Sequence, residues 1–237
     1  MSEQTGSPEK PAKATRPKPG ERRVQILQTL AMMLQQPGAD RVTTAALARR
    51  LEVSEAALYR HFASKAQMFE GLIDFIERSI FSLINKITTQ EPDGLRQLRA
   101  IISMLLAFAD KNPGMTRVLV GDALITEDPR LQGRINQIIE RLETSLKQSL
   151  RNAISQQRLP GNTDTGARAG VILSFVTGRW LLYAKSDFKR SPVEGFDHAA
   201  TLLLGAPVAA APRSNPAATG ASGMGNPLPQ ARIEQKI

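Results

Sequence analysis

Apolar residues recur along most of this chain at steps of three and four, in runs separated by short clusters of Pro, Gly and Asn. Alternating β-branched stretches are scarce. The pattern therefore predicts an all-α protein. Val24, Ile26, Leu27, Leu30, Ala31 and Leu34 give a first helix over about Glu21 to Gln35, ended by Pro37-Gly38. Two short patterns follow, Ala45, Leu47, Ala48 and Leu51, then Ala57, Leu58 and Phe62, with a tight connection at Glu52-Val53. A long helix is predicted from the capping box Ser64-Lys65-Ala66-Gln67 to about Thr89. Its apolar positions, from Met68 through Phe75 to Ile87, are too many for one stripe, so it should touch neighbours on more than one side.

Pro92-Asp93-Gly94 precedes a predicted helix over Leu95 to Asp110, which Asn112-Pro113-Gly114 should break sharply. A short apolar segment runs from Thr116 to Thr126. Asp128-Pro129 reads as an N-cap with proline in the first helical position, opening a helix to about Gln157. The next spans about Thr165 to Lys185, with Ala169, Ile172, Leu173, Val176, Trp180, Leu181 and Ala184 apolar, and a weaker one covers Phe196 to Leu204. Residues 1–20, rich in Pro and Lys, and 206–237, rich in Ala, Pro, Gly and Ser, lack periodicity and are expected to be disordered.

Charge narrows the choice of partner. The net charge of +9 and pI of about 10.2 point to a polyanion, nucleic acid before an acidic membrane surface. Lys10, Lys13, Arg16 and Lys18 lead into Arg22 and Arg23, a basic arm suited to DNA phosphates or a minor groove. The chain has no cysteine, which excludes disulfides and Cys-ligated zinc and is compatible with the cytoplasm. No apolar run reaches membrane-spanning length, and the N-terminus lacks the apolar core of a secretory signal.

Enzyme chemistry is not expected. The two histidines, His61 and His198, belong to no ligand-spaced set, so no metal or other cofactor is expected. The stretch from Gly161 to Arg168 loosely echoes a phosphate-binding loop but lacks its Lys and following Ser/Thr, and no strand precedes it. Glu127-Asp128 reads as helix-start charge.

The two short helical patterns make a helix-turn-helix. Its second helix turns Ser54, Glu55, Ala56, Tyr59, Arg60 and His61 outward, a small-then-polar surface suited to a DNA major groove. Thr43 or Thr44 would cap the first helix of the pair and reach a phosphate with the free hydroxyl. Ser54 would cap the second. Ala56 and Ala57 allow close approach, with Ala56 able to meet a thymine methyl. Tyr59, His61 and Lys65 are phosphate contacts, and Arg60 either reads guanine or neutralises phosphate.

Val53-Ser54, Leu58-Tyr59-Arg60-His61-Phe62 and Ser64-Lys65 together resemble the TetR family of DNA-binding regulators. Relatives usually carry Gly where this chain has Glu52, and a left-handed non-Gly residue there costs about 1 kcal/mol. The resemblance implies a three-helix DNA-binding domain over 21–65 and a helical dimerisation and partner-binding domain over 66–205. It further implies that the last two helices pair with their twins, through Ile172, Val176, Trp180 and Leu181.

The similarity continues beyond the DNA-binding unit, to a branch of the family that controls cell division. Asn112-Pro113-Gly114 with Thr116-Arg117, Leu131 to Gln137, and Ser186-Asp187-Phe188-Lys189 carry it, within a span of about Arg22 to Leu204. It implies a nucleoid occlusion factor. Such a homodimer on palindromic double-stranded DNA sites would bind the C-terminal tail of the tubulin-like division protein FtsZ. The tail would lie in a groove lined by Phe75, Ser79, Leu83, Met104, Ala107, Phe108, Lys111 and Asn112. Helical spacing places the first three on one face and most of the others on another. The resemblance leads one to expect a basic side chain where Leu83 stands. The alternative within the family is a repressor released by a small molecule, which requires an enclosed, part-polar cavity in the second domain.

Overall fold

The computed structural model describes residues 20–36 and 42–205. Among them lie helices α1 (Glu21–Leu34), α2 (Thr44–Arg50), α3 (Glu55–Tyr59), α4 (Lys65–Gln90), α5 (Gly94–Lys111) and α6 (Pro113–Leu119). A 3₁₀ turn (Asp122–Leu124), α7 (Pro129–Ser155), α8 (Thr165–Lys185) and α9 (Phe196–Leu204) follow. The described residues contain no strand. Residues 1–19 of the basic arm, the C-terminal tail and Pro37-Gly38 lie outside the described residues, while Arg22 and Arg23 lie in α1.

Local chemistry explains most of the helix starts. Thr43 accepts the Ala46 amide at 3.1 Å, Ser54 the Ala57 amide at 3.3 Å and Ser64 the Gln67 amide at 3.2 Å. Asp93, Asp128 and Asp164 do the same for α5, α7 and α8. Each such cap satisfies an amide that the helix cannot, contributing about 1 kcal/mol. The α4 capping box is partly reciprocal: Gln67 Oε1 accepts from the Ala63 amide at 2.9 Å. The phosphate-loop-like stretch is accounted for by the same device, since Asp164 takes up the amides of Gly166 and Ala167.

Asn112-Pro113-Gly114 ends α5 as expected, with Asn112 leaving helical geometry at φ −131° and ψ 64°, and a new helix starts at once. Asn112 ends α5 and caps α6 at once, and Pro113 sits in the first helical position, where a missing N–H costs nothing. The segment after it divides at Gly121, whose φ of 83° separates α6 from the 3₁₀ turn.

One apolar core runs through both halves, from Ile26 in α1 to Leu204 in α9. Trp180 is fully buried and donates its indole N–H to the Leu105 carbonyl at 3.1 Å. It ties α8 to α5, with α7 packed against both. α4 leaves the helix-turn-helix and packs along α5 and α7, so it belongs to both halves. α6 meets α1 at Gly114, where a Cβ would lie 1.9 Å from the Ala31 carbonyl oxygen. Nearby, the buried Arg117 donates to the Gln36 carbonyl at 3.1 Å and pairs with Asp187 at 3.5 Å. Its guanidinium lies 4.9 Å from the centre of the Phe188 ring.

The structure corrects the expected dimer face. Ile172, Val176 and Trp180 are all fully buried inside the protomer, and only Leu181 of the four is exposed. α8 is apolar on most of its circumference, so periodicity could not tell the inward side from the outward one. The outward stripe carries Val171, 60% exposed, and Leu182, 43% exposed, with the part-buried Phe175 and Gly178 between them.

Candidate nucleic-acid and partner interfaces

α2 packs against α3 and α1, Phe62 just beyond α3 lies beside Gly71 of α4, and Leu47, Ala48, Leu58 and Phe62 are all buried. The turn between them is left-handed at Glu52, with φ 54°. That is the conformation the sequence leaves strained, and neighbouring main chain holds it: the Glu52 amide donates to Arg49 O at 3.1 Å and the Val53 amide to Ala48 O at 3.0 Å.

The expected DNA-facing residues are held in different ways. Thr44 and Tyr59 come together with Glu55 across the helix pair. Thr44 Oγ1 donates to Glu55 Oε2 at 2.6 Å, and Tyr59 Oη reaches Thr44 Oγ1 at 3.5 Å. Thr43 and Ser54 are occupied as caps, and Ala56 and Arg60 are exposed on the outer side of α3, with Ala57 half-buried. His61 sits at the end of α3 with its carbonyl bound by Arg23, whose guanidinium also lies 4.1 Å from the centre of the Phe62 ring. Arg23, read in the sequence as part of the basic arm, thus braces the end of α3 from the surface.

Lys65 stands apart. Its ammonium pairs with Glu127, beyond the 3₁₀ turn in the second half, and lies over the Phe69 ring. Sequence reading treated Glu127 as helix-start charge, but only Asp128 plays that part. Asp128 accepts the Arg130 amide at 3.0 Å and holds the Arg130 guanidinium at 2.7 Å. Those hydrogen bonds, the side-chain one foremost, pull the Asp128 carboxyl from its ordinary 3.8 down to about 2. Two further residues were passed over: Arg49 and Arg50, both exposed in the last turn of α2 and adding positive charge beside the turn.

In the second half, Phe75, Ser79 and Leu83 form a half-buried stripe on α4. Met104, Ala107 and Asn112 are half-buried and Lys111 exposed along and just beyond the adjacent α5. Phe108 departs from the expected groove lining: at 3% exposure it lies beneath this surface as part of the core. Asn112 is oriented by its own Nδ2, which donates to the Phe108 carbonyl at 2.7 Å. The opposite flank of α4 borders a separate open groove of about 380 Å³, lined by Glu77, Arg78, Phe81, Ser82, Asn85 and Arg141. There Arg141 lies over the Phe81 ring at 3.9 Å and, with Arg134, holds Glu77.

Known proteins place this arrangement. Residues 26–72 match the bacterial regulatory proteins of the tetR family, and residues 92–206 match a tetracyclin repressor-like C-terminal domain of SlmA-like type. The chain belongs to the TetR family. It is a helix-turn-helix DNA-binding regulator. Within the family it is 50% identical over 183 residues to the nucleoid occlusion factor SlmA of Vibrio cholerae, covering 77% of this chain and 93% of the relative. It is 49% identical over 183 residues to SlmA of Photobacterium profundum, again covering 77% and 93%. Among solved structures, the fatty acid degradation regulator FadR of Bacillus halodurans superposes with a TM-score of 0.67 at 15% identity, covering 79% of this chain and 97% of that one. FadR of Bacillus subtilis, in complex with stearoyl-CoA, gives 0.64 at 16% identity over 77% and 98%. At that identity the likeness is one of fold. No helix among the described residues is long and apolar enough to cross a membrane.

Proposed function

We propose that this protein is a nucleoid occlusion factor. As a homodimer on palindromic chromosomal sites it binds the C-terminal tail of FtsZ and opposes division-ring assembly over the nucleoid. The observation that carries this reading is the extent of the likeness to SlmA: 183 residues at 50% identity reach far beyond the helix-turn-helix, through the half of the chain that a ligand-released repressor would vary. The ligand-released reading also needs an interior cavity, and the inward face of α8 is instead occupied by the fully buried Trp180.

In this reading α3 enters the major groove with Ala56, Ala57 and Arg60. Thr43, Thr44, Ser54, Tyr59, His61 and Lys65 fix the backbone around it. The dimer forms through the outward side of α8, with Val171, Phe175, Gly178, Leu181 and Leu182, and through α9, where Leu202 is 88% exposed. A surface of this apolarity on adjacent elements suits an isologous interface. The FtsZ tail lies over Phe75, Ser79 and Leu83 from α4 and Met104, Ala107, Lys111 and Asn112 from the α5 side, with Phe108 as the floor beneath. Lys111 supplies positive charge and Ala107 leaves space for a peptide backbone.

Sedimentation of FtsZ polymers tests the reading. The full-length protein should reduce polymer only when a duplex bearing its site is present. FtsZ sedimentation that ignores the duplex would count against it. Phe75→Ala should abolish the effect on FtsZ while leaving DNA affinity within about twofold, since Phe75 lies remote from α3 and distant sites behave independently. A genome-wide map of bound sites separates the alternative: many sites along the chromosome fit division control, whereas one site beside the protein's own gene fits an ordinary repressor.

A further inference from the structure

We propose that Glu127 competes with DNA phosphate for Lys65, so that the second half of the chain sets the strength of the first half's grip on DNA. The inference rests on the reading of Lys65 as a backbone contact.

Lys65 is the first residue of α4, directly after the Ser64 cap and close in sequence to the end of α3. That is where a cation must be to meet the phosphates flanking a major-groove helix. In the free protein its ammonium is already engaged by Glu127, 62 residues further along. The two side chains are only 26% and 9% exposed, and the Phe69 ring lies 5.7 Å from the ammonium. This is a sheltered pair rather than a surface one. The neighbouring acid, Asp128, is committed to the α7 cap and to Arg130.

A sheltered carboxylate that loses its cation carries an uncompensated charge. Lys65 therefore cannot turn to a phosphate while Glu127 stays as it is. Glu127 must reach water, and its surroundings allow that. Ile125 and Thr126 are exposed, Gly121 provides a left-handed joint at the start of the segment, and the 3₁₀ turn between them is three residues long. Phosphate binding by Lys65 thus frees the stretch 125–127, between the buried Leu124 and the Asp128 cap, at the head of α7, a helix that packs on α4 and α5. DNA occupancy becomes visible in the half of the protein that DNA does not touch.

Binding of the full-length chain to a labelled duplex of mixed sequence tests this, because such binding is dominated by phosphate contacts. Glu127→Gln keeps the shape of the side chain and removes the competitor. It should tighten binding about fivefold, the scale of a part-exposed ion pair. Lys65→Met should weaken binding and lower the salt slope by about 0.9, one phosphate contact. In the Lys65→Met background, Glu127→Gln should bring no gain. An equal gain in both backgrounds would show only that a negative charge had been removed near DNA, and would overturn the competition. No effect of Glu127→Gln beside a clear effect of Lys65→Met would also overturn it, while leaving Lys65 as a DNA contact. No effect of Lys65→Met would remove that contact and the inference with it. In hydrogen exchange, the amides of 125–127 should exchange faster when duplex is added to the wild type, and should already be fast in free Glu127→Gln; unchanged protection on adding duplex would sink the release of that stretch.

Discussion

α3 and α8 carry the two surfaces proposed above for DNA and for the dimer, and they are held in opposite ways. α3 is five residues long, with Leu58 as its buried residue. A helix that short is not stable by itself. It keeps its shape through the Ser54 cap, the Thr44–Glu55 hydrogen bond and the clasp of Arg23 on the His61 carbonyl and the Phe62 ring. α8 is 21 residues long and is fixed by burial, with Trp180, Ile172 and Val176 inside. Side chains on the outside of α3 are thereby free to serve DNA, because the core does not depend on them. α8 has little such freedom, and its outer stripe is what remains after the core is filled.

Substitutions test this contrast. Trp180→Ala should cost about 3–5 kcal/mol in chemical denaturation, because it leaves a large cavity and removes the hydrogen bond to the Leu105 carbonyl. A cost below about 1 kcal/mol would mean that α8 is not held by burial. Arg60→Ala should weaken DNA binding about tenfold, roughly 1.4 kcal/mol, with an unchanged unfolding midpoint. A matching loss of stability would place Arg60 in the structural set with Arg23. Glu52→Gly should raise stability by roughly 0.5–1 kcal/mol, since a left-handed φ penalises a side chain more than glycine's added chain entropy costs.

The smallest expected effect concerns pH. The folded carboxyl of Asp128 lies near 2 against an ordinary 3.8, so its contribution is complete above pH 4 and is lost as pH falls from 4 through 2. Protection of the first turn of α7 in hydrogen exchange should fade over that window, and Asp128→Asn should flatten the dependence.

Much of the fold was legible because its signals are local. Thr43, Ser54, Ser64 and Asp128 each announce a helix start within three residues of the amide they accept. The left-handed turn at Glu52 was legible only through the family resemblance, since relatives carry Gly at that place. What sequence could not disclose is pairing across distance and choice between two apolar sides. The Lys65–Glu127 pair spans 62 positions, and neither residue's neighbours point to the other. On α8 the inward set Ile172, Val176, Trp180 and the outward set Val171, Phe175, Leu182 follow the same helical spacing, so only the packed structure separates them. Phe108 was misplaced more mildly, by one step of burial, because a groove floor and a groove wall look alike in a periodic pattern.

Gly114 decides how far such a molecule can be retuned. Where α6 meets α1, main chain rests on main chain, with no room for even one carbon between them. A joint built from side chains has many settings, since each methyl gained or lost shifts it by a fraction of an ångström. This joint has one. The tilt of the DNA-reading unit relative to the rest of the chain is therefore indexed like a keyed shaft. Gradual change in how far the recognition helix reaches must come from elsewhere, in the length of α4 or in the face that α8 presents.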